Sequence, residues 1–308
     1  MTTALFTHNA CLRHDTGPGH AERSERLRAV MEVLADEACA GLIHHEAPLA
    51  ERDDLLRVHP AAYIDQVLAA IPTAGYARLD ADTVVSPGSR EAALRAAGAG
   101  CAAVDAVAKR EVDNAFCAVR PPGHHAEPAQ AMGFCLFNNI AVAALHARAI
   151  HGFQRLAVID FDVHHGNGTQ TVAAGDGDFF YASTHQWPLY PGTGSVRDKG
   201  KGVIVNAPLD PGSGGPLFRA AYEDVILPAL DAFAPDFVFI SAGFDGHQDD
   251  PLANLRLHEE DYAWVTGQIC ARARKLCGGR VVSMLEGGYD LAALGRSVTA
   301  HVGALMAG

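Results

Sequence analysis

Asp160-Phe-Asp-Val-His164 puts two carboxylates and an imidazole into one short run, directly after the apolar stretch Leu156-Ala-Val-Ile159. Residues two apart at a strand end point to the same side of the chain, so Asp162 and His164 offer an oxygen and a nitrogen donor together. Such donors suit zinc or a neighbouring first-row metal, and a catalytic zinc takes three protein ligands with one position left open. Asp245, in Ala242-Gly-Phe-Asp-Gly246 after another apolar run, is the best third ligand. An isolated Asp-x-Asp-x-His is more often a turn or a helix cap. Here that explanation leaves Asp245 and a tandem histidine unaccounted for.

The tandem is His124-His125, after the stiff Arg120-Pro-Pro-Gly123. Neutral imidazole is the commonest general base, and two adjacent rings can divide the labour of accepting a proton and carrying charge. Each ring needs a partner on its far nitrogen; Asp160 and Asn167, flanking the metal run, supply an anionic and a neutral one. By itself a His-His pair is usually a surface feature, and the neighbouring motifs raise its weight here. Tyr289 follows Glu286-Gly-Gly288, where glycines let a loop approach a ligand closely. Its hydroxyl can donate to a developing oxyanion opposite a metal. In isolation, Gly-Gly-Tyr would be a packed tyrosine after a tight turn.

Something must hold these groups together. Eight apolar runs read as strands: Ala4–Thr7, Leu42–His45, Ala115–Val119, Leu156–Phe161, Phe179–Ser183, Val203–Asn206, Phe237–Ser241 and Val281–Leu285. Between them the pattern predicts helices over Glu22–Cys39, Ala61–Ala70, Ser89–Lys109, Asn138–His151, Leu217–Phe233, Glu259–Leu276 and Leu291–Met306, with Ser89 capping the alanine-rich one. Alternating strand and helix implies a parallel sheet covered on both faces. The Gly- and Pro-rich segments at 120–125, 190–194, 242–246 and 286–289 all follow strands, and ligands bind at the carboxyl ends of such sheets. No linker or repeat interrupts the chain, so a single domain over residues 1–308 is expected.

Composition bounds the function. The net charge of −12 argues against nonspecific nucleic-acid binding, which needs clustered Lys and Arg. Seven cysteines form no CxxC pair, which fits a reducing cytoplasm better than a disulfide framework. No leader-like segment and no apolar run of roughly 18 residues is visible, so no membrane association is expected.

In this order, the motifs resemble those of the histone deacetylase superfamily, including bacterial histone-deacetylase-like amidohydrolases and acetylpolyamine amidohydrolases. The matching stretches are Gly17–Leu27, Arg120–His125, Gly133–Asn139, Ile159–Gln170, Tyr190–Gly194, Ser241–Asp245 and Leu285–Asp290. The resemblance implies one three-layer α/β/α domain with an eight-stranded parallel sheet, as in arginase. It implies Asp162, His164 and Asp245 as zinc ligands, His124 and His125 as the paired histidines, and Tyr289 as the transition-state tyrosine. It also implies Gly133, Phe134 and Tyr190 as tunnel walls, and a potassium ion near Asp160, Asp162, His164, Ser183 and Thr184. Asn167 is class II-like, where class I members carry Asp. Ala21 departs from the more usual Pro. Leu252, in Asp250-Pro-Leu252, stands where polyamine-selective relatives place Glu, and Asp82 is the loosest match, to a rim aspartate that clamps substrate.

The expected activity is zinc-dependent hydrolysis of the N-acyl amide, chiefly acetyl, of lysine side chains or related small primary amines. Acetylpolyamine or small xenobiotic amide hydrolysis is the alternative on the same site. A non-catalytic acyl-lysine-binding scaffold ranks low because no ligand, histidine or tyrosine is lost. A dinuclear manganese enzyme ranks lower, since only one clean ligand set is supplied. Oligomeric state is not readable from the sequence.

Overall fold

The computed structural model describes residues 1–308. Ten strands form: β1 Thr3–Thr7, β2 Leu42–Glu46, β3 Ala77–Arg78, β4 Val84–Val85, β5 Asn114–Cys117, β6 Leu156–Asp160, β7 Phe179–Gln186, β8 Val203–Leu209, β9 Phe237–Ala242 and β10 Val281–Leu285. Eight of them make one sheet in the order β2-β1-β5-β10-β9-β6-β7-β8, and every pairing in it is parallel. β3 and β4 form a separate antiparallel hairpin. The central strands are mostly apolar because helices cover both faces; β5, β6, β9 and β10 are buried at every position. All eight expected strands are present, in a three-layer α/β/α architecture.

The helices are α1 Ser24–Leu34, α2 Arg52–Leu56, α3 Ala61–Ala70, α4 Ser89–Ala108, α5 Asn139–His151, α6 Asn167–Ala174, α7 Gly215–Ala221, α8 Leu227–Phe233, α9 Glu259–Cys277 and α10 Leu291–Ala307. α4 and α5 approach closely: a Cβ on Gly100 would lie 2.8 Å from that of Ala143. Three expectations are corrected. The helix expected over Glu22–Cys39 is shorter, with Glu22 drawn into a buried ion pair and a separate 3-10 turn over Glu37–Cys39. The segment Leu217–Phe233 is interrupted by a π-turn at Tyr222–Ile226, just before Pro228, whose missing N–H cannot continue an α-helical ladder. Ser89 is the first helical residue rather than the cap; its Oγ instead accepts from the Ser86 N–H at 2.8 Å and meets His14 Nδ1 at 2.7 Å.

Register places the chemistry. Asp160, the last residue of β6, lies beside Ser183 of β7 on one side and Ser241 of β9 on the other. Met284 of β10 also pairs with Ser241, so the loops after β6, β9 and β10 leave the sheet at one level.

Candidate active site

After Asp160 the chain turns tightly. The Asp162 N–H donates to Asp160 Oδ1 at 3.1 Å, and the His164 N–H donates to Asp162 Oδ1 at 2.8 Å. This turn aims His164 Nδ1 between Asp162 Oδ1 and Asp245 Oδ2, each 3.1 Å away. Asp245 is itself fixed by the Val163 N–H, at 2.9 Å from Oδ1. All three side chains are buried, and their donor atoms lie within 4.8 Å of one another. The backbone comes in close: a Cβ on Gly287 would lie 2.0 Å from Asp245 Oδ2, and one on Gly243 would lie 2.0 Å from Asp162 Oδ2. Only glycine fits at either position.

Burial pushes the Asp245 carboxyl up, and the neighbouring Asp162 adds to the effect. Burial works against charge on His164 too, but Asp162 and Asp245 outweigh it and lift the imidazole to about 10. Two buried carboxylates around one imidazole form an electron-rich cradle. One nitrogen and two oxygens converging there fit a zinc-type ion.

The histidine pair sits beside this trio, with ring centroids 4.0 Å apart. His124 Nδ1 lies 3.0 Å from Asp160 Oδ2, which also accepts from the Tyr181 hydroxyl at 3.1 Å. Burial disfavours charge on His124, but Asp160 and Asp162 overcome it and raise the ring to about 10. His125 is held well below its ordinary value by burial and by its charged neighbour. Its Nδ1 lies 2.8 Å from Asn167 Oδ1, while Asn167 Nδ2 donates to Glu127 Oε1 at 2.7 Å. Since Glu127 orients the amide, Asn167 can only accept from His125. The neutral ring therefore carries its proton on Nδ1 and keeps a bare lone pair on Nε2.

Tyr289 arrives on the loop after β10. Asp250 Oδ2 accepts from its N–H at 2.7 Å, and the Arg26 guanidinium lies 4.8 Å from its ring centroid. Fully buried Arg26 donates to Gly288 O at 2.6 Å and to Glu286 O at 2.5 Å, so it clamps the Glu-Gly-Gly-Tyr loop from behind. Glu286 turns the other way. Its Oε2 accepts from the N–H groups of Gly123 and His124, at 2.7 and 3.2 Å, and burial pushes its carboxyl up to about 7.

A cavity of about 250 Å³ opens onto these groups. It is lined by His124, His125, His164 and Tyr289, and by Gly133, Phe134, Tyr190, Leu252 and Asp82. Phe134 has φ +68°, a strained value for a non-glycine residue, held where Thr83 Oγ1 accepts from its N–H at 3.2 Å. Asp82, carried on the β3–β4 hairpin, accepts from the Gly133 N–H at 3.2 Å through Oδ1. Tyr190 packs edge-on to His125 at 5.2 Å, and Leu252 is 38% exposed at the mouth. Ser183 and Thr184 lie outside this cavity: Ser183 Oγ meets His185 Nδ1 at 2.9 Å and Thr184 Oγ1 meets Tyr222 at 3.3 Å.

Sequence reasoning left several residues of the site without a role. Glu286, Glu127, Tyr181, Arg26 and Asp250 act through hydrogen bonds to partners distant along the chain, and no local spacing announces that. Pro122, Leu189 and Gly287 also line the cavity. Of these, Pro122 and Gly287 carried a signal, in the Pro-Pro-Gly and Gly-Gly segments that follow strands, and Leu189 carried none.

Comparison with known proteins gives a consistent answer. The family model described as "Histone deacetylase domain" matches residues 20–305. The chain is 41% identical to a protein named histone deacetylase-like amidohydrolase from Pseudomonas aeruginosa, over 94% of this chain and 82% of that one. It is 39% identical to a probable deacetylase from Archaeoglobus fulgidus, with the same coverage. Among solved structures it is similar to the HD domain of HDA15, with a TM-score of 0.93 at 36% identity, covering 99% of this chain and 88% of that one.

Proposed function

Because this chain belongs to the histone deacetylase family, we propose that it is a zinc-dependent amidohydrolase that removes acetyl or similar short acyl groups from lysine side chains or related small primary amines. The observation that carries this reading is the convergence of Asp162, His164 and Asp245 with the two histidines and Tyr289 around one narrow cavity. Zinc held by that trio supplies Lewis acidity, which polarises the acyl carbonyl and lowers the pKa of water.

The chain's own groups do the rest. His125 Nε2, bare and facing the cavity, takes the proton from the attacking water. His124, charged against Asp160, stabilises negative charge building beside it. The Tyr289 hydroxyl donates to the oxyanion. A protonated histidine of the pair then returns a proton to the departing amine nitrogen, which leaves poorly without one. Gly133, Phe134 and Tyr190 wall an elongated apolar stem, and Asp82 braces that wall from the rim. A potassium ion near Asp160, Asp162, His164, Ser183 and Thr184 belongs to the same reading. Leu252 at the mouth offers no anion for the distal ammonium of a polyamine, which favours acyl-lysine or neutral-tailed amines.

The test is release of acetate from an acetyl-lysine peptide by protein stripped of metal and then reloaded. Stripping should abolish turnover, one equivalent of zinc should restore it, and Asp245→Ala should prevent restoration. Full activity in the stripped protein, or in Asp245→Ala, overturns the proposal.

A further inference from the structure

We infer that Asp105, His146 and His151 form a second metal site, away from the catalytic cavity, for a divalent ion of the zinc type. Asp105 stands in the last turn of α4, His146 and His151 near the end of α5. Asp105 Oδ1 lies 2.9 Å from His146 Nε2 and 2.6 Å from His151 Nε2. The three donor atoms all lie within 4.8 Å of one another. Two imidazoles and one carboxylate are a zinc donor set, and a tetrahedral site with bonds of about 2.0–2.1 Å needs those atoms to separate only slightly.

Two further features favour an ion there. His146 Nδ1 lies 3.0 Å from Asp54 Oδ1, so both its nitrogens face carboxylate oxygens. A neutral ring in that place points a bare lone pair at an anion, and either a second proton or a metal cation on Nε2 removes the conflict. Asp54 then becomes the outer carboxylate that orients a metal-bound histidine, and it is itself anchored by Arg57 and by the Glu51 N–H. The carbonyl ends of two long helices also meet here, and their partial negative charge favours a cation. His146 is buried, while the Asp105 and His151 side chains are 35% and 17% exposed, which leaves an entry path from solvent.

A second cluster, His247, His258 and Glu259, lacks these properties. His247 Nδ1 accepts from the Asp249 N–H at 3.1 Å, which places the ring proton on Nε2, the nitrogen that faces Glu259. Glu259 is already paired with Arg296.

The test counts zinc bound to tag-free, full-length protein after stripping and equilibrium dialysis. Wild type should take up two equivalents, Asp245→Asn one, and Asp245→Asn with His151→Ala none. Zinc should raise the Tm of Asp245→Asn and leave that of the double variant unchanged. Asp105→Asn, which keeps the shape of the side chain, should behave as His151→Ala does. A wild type whose single equivalent is removed by Asp245→Asn, or a second equivalent that survives both His151→Ala and Asp105→Asn, overturns the inference. Loss of the Asp245-dependent equivalent alone would count against the catalytic zinc and leave this site standing.

Discussion

Asn167 presents its side-chain oxygen to His125 Nδ1 at 2.8 Å, and this one bond decides which nitrogen of the ring meets the substrate. The bond depends in turn on Glu127, which holds the amide the right way round. In the proposed mechanism the base is thus set two residues back from the chemistry, by a carboxylate outside the cavity lining.

Replacing Asn167 by Asp puts a negative charge behind His125, which favours the protonated ring and raises its depressed pKa. The base works only when neutral, so activity is lost as pH falls through that value. The acid limb of the kcat/KM profile should therefore move up by roughly one to three pH units. Glu127→Ala should lower kcat with little change in KM, while Glu127→Gln, which keeps an acceptor for the Asn167 amide, should restore it. An acid limb that stays in place in Asn167→Asp would remove His125 from the role of base.

Tyr289→Phe removes one oxyanion donor and leaves the ring packing against Phe134 and Arg26 intact. The loss should be about 2.7–4 kcal/mol of barrier, a hundred- to thousandfold in kcat, with KM nearly unchanged. Wild-type turnover in this variant would mean that the hydroxyl faces away from the reacting carbonyl.

Leu252→Glu adds a carboxylate to a cavity whose lining otherwise carries only Asp82 as an anion. The kcat/KM ratio of acetylspermidine to an acetyl-lysine peptide should shift toward the polyamine by roughly 1–3 kcal/mol. The net charge of −12 attracts polyamines to the wild type as well, but that pull fades at physiological ionic strength, whereas a contact in the pocket persists. Acetylpolyamines remaining the best wild-type substrates at that salt would sink the preference for acyl-lysine.

Arg26→Met leaves the buried carboxylate of Glu22 one partner short and frees the loop that carries Tyr289. The cost should be about 3–5 kcal/mol in urea unfolding at pH 7. Burial alone would push the Glu22 carboxyl up, yet Arg120 and His14 hold it well below the usual range. A depressed carboxyl contributes stability above its unfolded value of about 4.3 and loses it as pH falls through the folded value. With Arg26 gone that folded value rises, so the variant should begin to lose stability at a higher pH than wild type. Matching acid profiles would exclude the pairing as the cause.

The sheet was legible because buried parallel strands read as short, mostly apolar runs, and Val281–Leu285 was bounded to the residue. The convergence of Asp162, His164 and Asp245 and of the histidine pair was legible because these residues sit in dense local motifs after strands. What escaped notice depends on distance along the chain. Glu22 leaves its helix for Arg120, 98 residues away. Glu286 bonds Gly123 and His124 across the sheet. The two-residue strands Ala77–Arg78 and Val84–Val85, which deliver Asp82, are too short to leave any periodicity.

The sheet order also governs when the site can exist. β10 is the last strand in the chain but lies fourth across the sheet, between β5 and β9. During synthesis the strands on either side have an open slot between them until residues 281–285 emerge. That slot exposes the edges of two strands that are buried in the finished sheet, the kind of surface that invites mispairing. The strand that closes it also brings Glu286, Gly287 and Tyr289, so a nascent chain reaches a complete sheet and a complete catalytic centre in the same event.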